Sequence, residues 1–136
     1  MKKKNLLATL LLVAVAFTLA SCGDRLDGDW DPMKWRADVP VDKEHKVQVP
    51  SQGGTYTFTC TNYSSIWLGG GSVKEDGVYL DRPDGIYHIA GTWSDSKVEK
   101  NVLTITLQPN ATGKRRVLEV HPTAGDIFAR FIFEQE

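Results

Sequence analysis

The sequence predicts an all-β domain, a β-sandwich of seven or eight short antiparallel strands. Three observations carry that expectation. From Glu44 onward no window keeps a helical period; apolar residues return at every second position instead. Thr55-Tyr56-Thr57-Phe58-Thr59-Cys60-Thr61 puts Tyr56, Phe58 and Cys60 on one face and threonines on the other, and Val102–Leu107 repeats the pattern with Leu103, Ile105 and Leu107. Turn-forming residues then break the chain at intervals of about ten residues, the spacing of sandwich strands. An up-and-down barrel is the competing architecture.

The elements follow in order. Lys46–Val49 is a short strand, closed by Pro50 and the turn Ser51-Gln52-Gly53-Gly54. After Thr55–Thr61 comes a brief Ile66-Trp67-Leu68 strand, ended by Gly69-Gly70-Gly71. Trp67 lies between two apolar neighbours and reads as a buried sandwich tryptophan. Val78–Leu80 and Ile86–Ala90 are weaker strands, separated by the turn Asp81-Arg82-Pro83-Asp84-Gly85. Val102–Leu107, the turn Pro109-Asn110-Ala111-Thr112-Gly113, Val117–Val120 and Ile127–Phe133 complete the set. Lys114-Arg115-Arg116 falls at this hairpin and reads as a solvated turn rather than a phosphate site.

The N-terminus obeys different rules. Lys2, Lys3 and Lys4 precede Leu6–Ala20, fifteen residues in which only Thr9 and Thr18 are mildly polar. As a helix that run would be about 22 Å long, short of a bilayer's hydrocarbon core of about 30 Å. A basic start, a short apolar middle and small residues at the end describe an export signal, not a spanning helix. Leu19-Ala20-Ser21-Cys22 then resembles the lipobox of bacterial lipoproteins. The resemblance implies cleavage before Cys22 and diacylglycerol on its thiol, so that Cys22 becomes the anchored first residue. One acyl chain binds a membrane marginally and two or more hold firmly, so such a modification anchors without a spanning segment.

Three units are therefore expected: a lipoprotein signal peptide over 1–21, a lipid-anchored acidic tether over 22–43, and a sandwich domain over 44–136. Asp24, Asp27, Asp29 and Asp31 face Arg25 alone and offer little to bury, which is why the second reads as tether. Its Trp30-Asp31-Pro32-Met33-Lys34-Trp35 segment is expected to fold back over one end of the domain. Acidic residues after the lipid cysteine also resemble signals that send lipoproteins to the outer membrane and its outer face. Removing the leader's three lysines takes the formal charge from −1 to −4. A mildly acidic chain without a long basic tract gives no support for a nucleic-acid partner.

Lys46–Gln135 is similar to BACON domains, Ig-like modules of secreted and lipid-anchored Bacteroidetes proteins. The resemblance rests on Val49-Pro50, Gly53-Gly54-Thr55, Asn62, Trp67 and Leu103-Thr104-Ile105-Thr106-Leu107. It continues through Asn110, Arg115 or Arg116, Val117-Leu118-Glu119-Val120 and Phe131-Ile132-Phe133-Glu134-Gln135. Residues 69–97 depart from the pattern. The resemblance implies an Ig-like sandwich in an extracytoplasmic setting, serving carbohydrate binding or acting as a spacer.

Catalytic chemistry finds no constellation. His45, His88 and His121 are dispersed without metal-ligand spacing, and Asp81 and Asp84 are explained by their turn. No nucleophile elbow, phosphate loop or dinucleotide fingerprint is present. With Cys22 lipidated, Cys60 has no disulfide partner, and beside Tyr56 and Phe58 it reads as a small buried hydrophobe. The expectation is thus a non-catalytic protein without cofactor or metal. Its partners would be the membrane, through lipid on Cys22, and either an envelope protein or a polysaccharide. Flat aromatic rings stack on sugar faces, and Trp93, Tyr63 and Tyr87, placed beside polar loops, are the candidate glycan-binding residues.

Overall fold

A computed structural model describes residues 30–136. The expected signal peptide and the expected lipidation at Cys22 lie outside the described residues. Two five-stranded sheets form, as the strand spacing predicts, and the barrel alternative is excluded. The strands are β1 (Trp35–Ala37), β2 (Lys46–Val49), β3 (Gly54–Cys60), β4 (Trp67–Glu75), β5 (Val78–Tyr79), β6 (His88–Ala90), β7 (Ser94–Glu99), β8 (Val102–Leu107), β9 (Arg116–Thr123) and β10 (Phe131–Gln135). Sheet 1 runs β1-β3-β8-β7-β6 and sheet 2 runs β2-β10-β9-β4-β5. This is the layout of an Ig-like sandwich, two five-stranded sheets face to face, with the short β2 beside the last strand, β10, in sheet 2.

The ten strands exceed the expected seven or eight by two or three. β1 lies in the stretch read as acidic tether, where it pairs with β3 through Trp35↔Cys60 and Ala37↔Phe58. β7 carries Ser94 and Ser96 inward, and small hydroxyls leave no hydrophobic alternation to read. Nor are all pairings antiparallel: β2 runs parallel to β10, from Lys46↔Ile132 to Val49↔Gln135.

The core forms where the two inner faces meet. Phe58, Leu103, Ile105 and Ile89 from sheet 1 face Val47, Leu68, Val73, Leu118, Val120 and Phe133 from sheet 2, each fully buried. Cys60 is buried as a free thiol, as expected. The expectation for Trp67 is corrected. Ile66 and Leu68 point inward, and strand alternation turns Trp67 to the partly exposed outer side. Trp35, partly buried, packs its indole against the core instead, edge-on to Phe131 with ring centroids 5.0 Å apart. Arg116 also departs from the solvated-turn reading. It is 8% exposed, donates to Gln135 Oε1 at 2.7 Å and to Gln108 O at 2.9 Å, and lies over the Trp93 ring.

Sheet 2 is tied to sheet 1 by a buried carboxylate. Glu75, at the end of β4, accepts hydrogen bonds from the backbone N–H groups of Thr92, Trp93 and Ser94 at 3.0–3.1 Å. The hydroxyls of Thr92 and Ser94 add two more at 2.6 and 2.7 Å. Burial pushes this carboxyl up, but the hydrogen bonds outweigh it and hold the group below the usual glutamate range.

Candidate glycine-floored groove

The broken pattern at Gly69-Gly70-Gly71 is not a strand end. β4 runs straight through it as a bulge: five residue steps from Leu68 to Val73 oppose two steps on β9, from Pro122 to Val120. Only residues without side chains leave that stretch open. Gly71 has φ +68°, and a Cβ there would lie 3.2 Å from the Tyr79 ring. The result is a groove of about 280 Å³ on the outer face of sheet 2, floored by Gly69–Gly71 and walled by Ser72, Lys74, Tyr79, His121 and Phe128.

Each wall residue is placed by strand parity or by a braced loop. Val73 and Val120 pair facing the core, so Ser72, Lys74, Glu119 and His121 fall on the outer face. Lys74 pairs with Tyr79 across β4–β5, and its ammonium stands 4.5 Å from the centre of the Tyr79 ring. Phe128 sits in the β9–β10 connection, which Thr123 braces by donating its hydroxyl to Gly125 O and Ile127 O at 2.7 and 2.8 Å. Tyr79 and Phe128 are 60% and 65% exposed, although both sit on paired or braced backbone. Ser72 is 5% exposed, yet its hydroxyl has no hydrogen-bond partner among the described residues. Two exposed rings and an open floor suit a flat ligand.

Beside the groove, His121 Nε2 lies 2.6 Å from Glu119 Oε1, and Arg130 donates its Nε–H to the same oxygen at 2.9 Å. The Arg130 hydrogen bond is the main reason that Glu119 ionises below its ordinary value; burial opposes it and His121 adds to it. Among the described residues, no group of three or more His, Cys, Asp or Glu is placed to hold a metal ion.

The three aromatic residues singled out by sequence lie elsewhere. Trp93 packs against the core under the Arg116 guanidinium, 4.3 Å from its ring centre, at the Gln108 end of sheet 1. Tyr63 is partly buried and donates its hydroxyl to the backbone carbonyl of Asp31, near the opposite end. Tyr87 is 50% exposed and lines a separate depression with His88 and Lys97. The structure does not assemble them into one surface. A signal for the groove does exist in the sequence: glycines within a strand mark bulges and places where a ligand comes close to the backbone.

The fold and the groove define an Ig-like β-sandwich with an open recess on its outer sheet. An NMR structure of a protein from Bacteroides thetaiotaomicron matches with 36% identity and a TM-score of 0.70, covering 84% of this chain and 97% of that one. The chain belongs to the same family as that Bacteroides protein. A titin M4 structure is a more distant neighbour, at 12% identity and a TM-score of 0.44 over 79% of this chain and 98% of that one. No protein-family model matches the chain, and no curated protein does.

Proposed function

We propose that this protein is a lipid-anchored, non-catalytic interaction module of a bacterial cell envelope, held at the outer membrane by acyl chains on Cys22. The run from Lys2 to Cys22 and the BACON-like pattern of Lys46–Gln135 support the setting. The observation that carries the working surface is the groove, with Tyr79 and Phe128 held exposed on either side of a bare glycine floor. An envelope protein is the first partner to seek.

The anchor is tested in the full chain. Cys22→Ser should lose acyl labelling and move most of the protein from the membrane to the soluble fraction. A wild-type chain without acyl mass, or a variant that stays on the membrane, contradicts it.

Glycan capture is the second reading, and the paired rings favour it. A sugar ring laid between Tyr79 and Phe128 would place C–H groups on flat π faces and hydroxyls near Ser72, Lys74 and His121. Tyr79→Ala or Phe128→Ala should each weaken binding by about tenfold. Because both rings are exposed, unfolding free energy should move by less than about 1 kcal/mol. Equal binding by wild type and both variants would remove the groove from the account.

A further inference from the structure

We infer that the groove selects saccharides bearing a negative charge, a uronic acid being the plain case. This rests on the glycan reading and adds a chemical class to it. Three observations point the same way. Among the described residues no Asp or Glu lines the groove, whereas Lys74 and His121 do. Neither Lys74 nor Arg82 is ion-paired among the described residues. Arg82 lies outside the lining itself, with a guanidinium nitrogen 3.5 Å from the place a Gly70 side chain would start.

The nearest competing charge is already occupied. Glu119 touches the lining His121, but its Oε1 also accepts from Arg130, so one carboxylate serves two basic groups. Lys74 stands by Tyr79 at one side of the groove, and Arg82 approaches Gly70 from outside the lining. A ring stacked on Tyr79 would meet the Lys74 ammonium, a donor suited to a carboxylate.

The test uses the full chain in detergent micelles and calorimetric titration with three pairs of probes. They are oligogalacturonate and its methyl ester, sialyllactose and lactose, and a hyaluronan oligosaccharide and its methyl ester. At least one acidic probe should bind about tenfold or more tighter than its uncharged counterpart, and added salt should erode the difference. Lys74→Gln with Arg82→Gln should bring the ratio toward one, with thermal unfolding confirming that the variant is folded. Equal affinity within every pair would overturn the charge selectivity while leaving the glycan reading intact. No binding by any saccharide would overturn both.

Discussion

Replacing Glu75 with alanine should cost about 3–5 kcal/mol of unfolding free energy, among the largest single-residue losses this sandwich can show. The carboxylate is 6% exposed and accepts five hydrogen bonds from Thr92, Trp93 and Ser94. Removing it strands those donors in the interior, where each unsatisfied group costs about 1–3 kcal/mol before relaxation and entering water recover part of the loss. Glu75→Gln keeps the shape but turns an N–H₂ toward existing donors, so it should recover only part of the stability. Gly91→Ala gives an independent check: its Cβ would fall 2.0 Å from Glu75 Oε1 and 2.5 Å from Cδ, so the clamp must open. Denaturant midpoints at constant slope measure all three.

The same carboxylate sets an acid limit. Because Glu75 holds its proton less tightly when folded than when unfolded, its ionisation stabilises the native state above the ordinary glutamate pKa. That contribution is lost as pH falls from there through the lower folded value, and Glu119 adds a loss of the same sign. Stability followed from about pH 7 to about pH 3 should therefore decline, and Glu75→Gln should flatten the decline.

Phe131→Ala should cost about 3–5 kcal/mol by a different mechanism, the loss of buried ring area together with the cavity left behind. Phe131 is 1% exposed at the crossing of three strands and one loop. Its ring meets Phe58 of β3 at 4.5 Å, Trp35 of β1 at 5.0 Å and the stacked His45 before β2 at 5.4 Å. The cavity would merge with the recess that Met33, Trp35, Val39, Val41 and Phe131 already line, so collapse cannot refill it cheaply. Because β1 is three residues long and paired only with β3, it should be the first strand released. Amide exchange in Trp35–Ala37 should accelerate before that of β8.

How far the fold could be read from the residues follows from what each strand buries. β3 and β8 alternate threonine with large apolar residues, and their facing sides pack as the alternation predicts. β7 escaped notice because its inward positions are Ser94, Ser96 and Val98, one of which serves a carboxylate on the other sheet. β1 lies among aspartates and a proline, where composition argues for tether and pairing with β3 decides otherwise. The apolar flanks of Trp67 suggest burial, but period-two alternation places the middle residue opposite both neighbours.

The groove was still less legible. Tyr79, His121 and Phe128 meet only because β4 pairs with both β5 and β9. The three glycines that open the floor look locally like a chain break. Glu75 reads as one more polar residue, since its donors lie seventeen to nineteen residues further on. Aromatic residues near polar loops were a weaker guide than backbone: Trp93 and Tyr63 are held by Arg116 and by the Asp31 carbonyl.

The most direct measurement is a chemical-shift map of the isotope-labelled full chain in micelles, titrated with the acidic and neutral saccharides. The largest amide shifts should fall at Gly69–Ser72, Lys74, Tyr79, His121 and Phe128. Shifts centred instead on Trp93, Tyr63 or Tyr87, or none with any saccharide, would contradict the account of the groove as a glycan site.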